Sequence, residues 1–250
     1  MDPIAPDLSL TPVVLPQAQI TALATRHRKA GGLVMTIVNA AGTRIESRLE
    51  MLPDGVKDRI ESIAAAALDR SYRLAGRTVT AGPRLGERGH LALATLTGAV
   101  GGFGGFASAL AELPVTVTVI FRSLQRIAAD YGYDPQDEGV RLECLQVFGS
   151  GSPLERDDGV NTSFLGARVT ITGATLNGVI SAVAPRFATV LGEKLAAQAV
   201  PLLGSVAGAG INYAFVSYYQ EMAHVRFGLK RLAEVHGDEA VIAAFREAAG

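Results

Sequence analysis

A chain of 250 residues is long enough for one substantial core, and 23 basic against 24 acidic residues give a net charge of −1, with no field that would favour nucleic acid. Charged residues make up only 19% of the chain, glycines number 28 and the mean hydropathy is +0.26, so little surface is solvated by charge and close helix packing, self-association or membrane contact is implied. The single cysteine, Cys144, excludes an intrachain disulfide and a multi-cysteine zinc site, and the absence of Trp argues against base-stacking platforms.

Residues 1–15 contain Pro3, Pro6 and Pro12 without periodicity and read as an extended arm. The acidic, proline-bearing opening lacks the basic and compact apolar regions of a secretory signal, so the expectation is a cytoplasmic protein, extending to peripheral attachment at the inner membrane. Pro16 opens a helix expected to end at Gly31-Gly32. Val34, Ile37, Val38, Ala41, Ile45 and Leu49 then form a second helical stripe, and Pro53-Asp54-Gly55 reads as a turn before an amphipathic helix from Val56. The stretch 76–89, rich in Gly and Arg, reads as a loop.

From Leu91 to Ala111 there is no charge, and Gly98, Gly101, Gly102, Gly104 and Gly105 punctuate the run. Glu112-Leu113-Pro114 is expected to open the next helix, with Gly132 as its left-handed cap and Asp134-Pro135 as its stop. A short helix follows over 137–148, then a charged loop at 155–161. Further helices are expected over 163–184, 185–199, 201–235 (interrupted near Gly208 and Gly210) and 238–249. The fold class is all-α: a compact multi-helix bundle with a central Gly-rich apolar helical hairpin, forming one domain over 16–250.

The longest neutral run lies between Lys194 and Glu221, yet it carries Gln198, Asn212 and Gln220. Such a run belongs in a core or in lipid, and its amides need partners there. In a helical setting, Gln198 and Asn212 are expected to hydrogen-bond across helices and set register, with a ligand role as the alternative.

Glu193 to Leu232, together with Glu112-Leu113-Pro114, Arg122, Arg126-Ile127-Ala128 and Tyr131-Gly132-Tyr133-Asp134, resembles the EcsC protein family, named after a protein encoded beside a bacterial ABC transporter. The resemblance covers roughly 33–245. It implies a helical protein, soluble or peripherally membrane-associated, without an established biochemical activity and linked by gene context to transport and secretion. Family members often carry a His just before the Phe that Phe227 matches; here that slot holds Arg226, with His224 two residues earlier.

Small residues at four-residue spacing, Gly98 with Gly102, Gly101 with Gly105 and Gly204 with Gly208, let helix backbones approach closely, in a soluble core or in lipid. As one helix, 91–111 would reach roughly 30 Å, about a bilayer core. Glu112 stands between two apolar runs, either as a helix-start carboxylate or as a perturbed acid. Arg122 and Arg126 lie one turn apart, and Lys194 and Arg226 can join them in a cluster suited to a phosphate or lipid headgroup, or to pairing with Glu112, Glu193 and Asp130.

Glu221-x-x-His224 and Glu87-x-x-His90 have the carboxylate–histidine spacing of di-iron bundles, but the second falls in the expected loop, so no metal is assigned. No Gly-x-Ser-x-Gly elbow, P-loop or dinucleotide fingerprint occurs, and neither a cofactor nor a catalytic residue is assigned. The expectation is a non-enzymatic helical protein that associates with a membrane or lipid, with a second copy of itself as a further partner. The alternatives are a soluble interaction or scaffold protein, and a small-ligand binder using Glu112, Arg122, Glu193 and Asn212.

Overall fold

The computed structural model describes residues 15–40, 54–78, 86–101, 105–150, 175–198 and 204–250. Among these residues every regular element is a helix: α1 (Gln17–Ala40), α2 (Asp54–Thr78), α3 (Glu87–Gly101), α4 (Gly105–Asp130), α5 (Glu138–Val147), α6 (Leu176–Gln198), α7 (Gly204–His236) and α8 (Asp238–Ala249). The expected arm over 1–15, save its last residue, the loop over 155–161 and the helix start near 163 lie outside the described residues.

Helix α7 is the spine, with α1, α3, α4 and α8 packed along it, while α2 lies against α4 and α6. Leu23 of α1 faces Gly228 of α7 and Arg26 of α1 faces Glu221, so these two helices run antiparallel. The core is continuous from Ile20 and Leu23 through Ile120, Phe121 and Leu124 to Phe215, Phe227 and Phe245. Phe148, Phe187 and Tyr219 stack within it at centroid distances of 4.8, 5.2 and 6.1 Å, fastening the end of α5 and the middle of α6 to α7.

Several boundaries differ from the sequence expectation, each where tertiary packing outweighs a local signal. Helix α1 runs unbroken through Gly31 and Gly32, and α7 through Gly208 and Gly210. A helical glycine costs about 1 kcal/mol relative to alanine, which extended packing between α1 and α7 offsets. Pro114 and Pro185 do not open helices but lie inside α4 and α6. Proline forfeits one backbone hydrogen bond there, and the Thr118 hydroxyl donates to the Pro114 carbonyl at 2.8 Å one turn later. Helix α2 begins at Asp54 rather than Val56 and continues to Thr78, and Glu87 begins α3, so the stretch read as a loop over 76–89 is helical at both ends.

Other signals hold. Gly132 has φ +89 at the end of α4, where the Tyr133 N–H returns to the Ala128 carbonyl at 3.0 Å. Asp137 caps α5 by accepting from the Val140 N–H at 3.1 Å.

Gly228 marks the close approach of α1 to α7: a Cβ there would lie 2.7 Å from Leu23 Cδ2. Gly228→Val is expected to destabilise the fold by about 1–3 kcal/mol through overpacking. Leu23→Ala in the same background should recover part of that loss, as read by urea denaturation of the single and double variants.

Candidate functional site

From Glu221 onward α7 carries polar and charged groups at helical spacing, and two clusters form around them. The first is interior. Arg226 is 1% exposed and Glu143, on α5, is 2% exposed. The Lys230 ammonium donates to Glu143 Oε1, while Arg226 Nε lies 3.8 Å from Glu143 Oε2 and Arg226 Nη2 donates to Gln146 Oε1 at 3.1 Å. One carboxylate thus faces two cations that stand one turn apart on α7. Burial pushes the Glu143 carboxyl above its ordinary range, against the pull of Lys230 and Arg226, and burial likewise lowers Arg226.

Tyr133 closes this cluster. Its ring lies under Lys230 Nζ at 4.7 Å and beside Phe227 at 5.7 Å, and its hydroxyl donates to Glu234 at 2.9 Å. Burial, followed by that hydrogen bond, raises the phenol above its usual value and keeps it a donor. Cys144, wholly buried next to Glu143, is raised by burial and stays a thiol.

The second cluster is half-open and draws on four helices. His224 of α7 places Nδ1 3.4 Å from the Tyr131 hydroxyl and Nε2 3.2 Å from Glu87 Oε1 on α3. Arg26 of α1 donates to Glu221 at 2.9 Å, and Gln220, 3% exposed, donates to the Glu87 carbonyl at 3.2 Å. Burial raises the Tyr131 phenol, with Arg26 opposing and Glu221 and Glu87 adding to it. The two Glu-x-x-His pairs therefore do meet, because Glu87 sits in the first turn of α3 and not in a loop. Glu87 pairs with His224 across the two motifs, while Glu221 pairs with Arg26 of α1. Arg26 and Tyr131 are what α1 and α4 contribute, where a two-metal bundle site needs carboxylates, and among the described residues no three metal-binding side chains converge.

The residues singled out from the sequence are dispersed. Arg122 and Arg126 are exposed on α4, where Arg126 pairs with Asp130 at 3.0 Å, while Arg226 faces inward to Glu143. Asn212 is fully buried in α7, and the Gln220 amide joins α7 to α3. The side chains of Glu112, Glu193, Lys194 and Gln198 and the position Gly102 lie outside those described, while Gly98 and Gly101 fall in α3, Gly105 in α4 and Gly204 and Gly208 in α7. Sequence reasoning missed Glu143, Gln146 and Lys230. Two signals pointed to them: Lys230 follows Arg226 by four residues, and Glu143 is flanked by the apolar Leu142 and Cys144.

Both clusters join Tyr131-Gly132-Tyr133-Asp134 to the second half of α7, so the two sequence blocks that carry the family resemblance touch in three dimensions. The sequence profile of the EcsC protein family matches residues 14–232. The chain belongs to the EcsC protein family. Among curated proteins, this EcsC chain is similar to the uncharacterized protein YdbA of Bacillus subtilis (strain 168), with 27% identity over 158 residues, 56% of this chain and 53% of the relative. The chain thus spans about half the length of the curated relative it matches. No solved structure matches it.

Lys230→Met removes the nearer of the two cations that hold the Glu143 carboxyl down. Its pKa, already raised by burial, should then rise further, so that the folded state binds a proton the unfolded chain has released. The variant is expected to be about 3–5 kcal/mol less stable than the parent at pH 8. That deficit should shrink as the pH falls towards the ordinary carboxylate range. Urea denaturation of both proteins across this window checks the sign.

Proposed function

We propose that this EcsC-family protein is a non-enzymatic helical protein that attaches peripherally to a membrane surface through the uncharged stretches of three of its helices. The observation that carries the reading is a convergence. Beyond the level of Arg26, Glu87 and Glu221, residues 30–40 of α1, 91–101 of α3 and 204–220 of α7 contain no charged side chain. Helices α1 and α3 both pack along α7. Leu93, Leu96 and Tyr213 on these stretches are 40%, 65% and 38% exposed, a polarity that water does not favour for leucines on neighbouring turns.

Helix lengths argue for dipping over crossing. At 1.5 Å per residue the three uncharged segments reach roughly 16 to 25 Å, short of the ~30 Å hydrocarbon core. Among the described residues no helix is long and apolar enough to cross a membrane. The roughly 16 Å stretches of α1 and α3 match the depth of one leaflet, about half of that core, while the charged clusters at their base stay in water. The link to transport or secretion machinery that the family resemblance implies is compatible with such a position.

Vesicle flotation of the full chain tests the reading. The protein is expected to float with vesicles, and Leu93→Asp/Leu96→Asp to weaken the partition by at least about tenfold, from lost apolar burial alone. Failure of the parent protein to bind vesicles of any composition would overturn it. A parent that binds no vesicles but forms a defined oligomer, dispersed to monomer by the same double substitution in light scattering, would establish a scaffold role for this surface instead.

A further inference from the structure

The geometry points to an anionic lipid surface as the partner of these uncharged stretches, with Lys29 of α1 and Arg88 of α3 meeting its phosphate groups and Arg28 beside them. This rests on the membrane reading above and names the lipid class. Helix α1 has no acidic residue, and its cations are confined to positions 26–29, immediately before its uncharged half. Lys29 is the last charged residue before that half begins, and Arg88 holds the same place on α3. Both are exposed, with no hydrogen bond or ion pair among the described residues.

The remaining groups at this level are already engaged. Arg26 holds Glu221 at 2.9 Å and Glu87 faces His224 at 3.2 Å. Arg28 donates to the Ala248 carbonyl at 2.6 Å through one nitrogen and stays exposed, and buried His27 stacks edge-on with Phe245 at 5.9 Å. On α1, α3 and α7, four cations against two carboxylates leave this level at +2, with the histidines taken as neutral, on a chain whose net charge is −1. The positive belt therefore stands where the uncharged block ends. That is the height at which headgroup phosphates lie when the block is immersed, and long Lys and Arg side chains reach them with apolar stems along the block.

The test compares flotation of the full chain with phosphatidylcholine vesicles and with mixed phosphatidylcholine/phosphatidylglycerol vesicles. Tighter binding to the anionic vesicles, weakened by added salt, is expected. Each cation near the surface contributes about fivefold, so Lys29→Gln/Arg88→Gln should reduce anionic-vesicle partition about 25-fold and leave binding to neutral vesicles unchanged. Lys29→Arg/Arg88→Lys should retain the preference. Equal binding to both vesicle types, insensitive to salt, overturns the lipid assignment and leaves the membrane reading standing. Binding to neither overturns both. The salt series on the parent protein decides the matter even if the double variant folds poorly.

Discussion

Burying Arg226 and Lys230 on one face of α7 commits the structure around them. Each cation loses its water, and the carboxylate they share, Glu143, comes from α5, where its sequence neighbours on either side are apolar. Placing Glu143 there fixes the rotation of α5 about its axis. The turn between α4 and α5 then has to carry Tyr133 over Lys230 and Phe227. The left-handed Gly132 makes that turn sharp enough. Removing Glu143 leaves both cations without the carboxylate they share, in a place water hardly reaches.

One turn or two towards the start of α7, the chemistry changes from interior ion pairing to a half-open junction. His224, Glu221 and Gln220 tie α3, α1 and α4 to the same stretch of helix. This junction is a boundary: charge is concentrated on one side of it, and on the other α1, α3 and α7 continue without any. Segregating charge along the long axis in this way is what the proposed membrane contact calls for, because each ion taken into hydrocarbon costs far more than a buried neutral side chain.

Much of the architecture was legible from residue order. Apolar spacing marked the helices, Gly132 and Asp137 marked their ends, and α8 was readable to the residue from Asp238 to Ala249. What misled were glycine and proline inside helices. Gly31-Gly32, Gly208, Gly210, Pro114 and Pro185 all look like breaks over a few residues, yet each lies in a helix held by long packing against neighbours that the local sequence does not reveal. The same error placed Glu87 in a loop and hid its meeting with His224.

Composition and order by themselves determined that the chain is all-helical, that it belongs with the EcsC pattern, and that two long stretches carry no charge, because these are properties of periodicity and of residue type. Only the tertiary structure decided which charges share an environment. It turned Arg226 inward to Glu143, left Arg122 and Arg126 on the surface, and packed α1 and α3, with their neutral halves, along α7. Those outcomes depend on helix rotation and antiparallel register, which are set by contacts such as Leu23 on Gly228 between residues some two hundred positions apart.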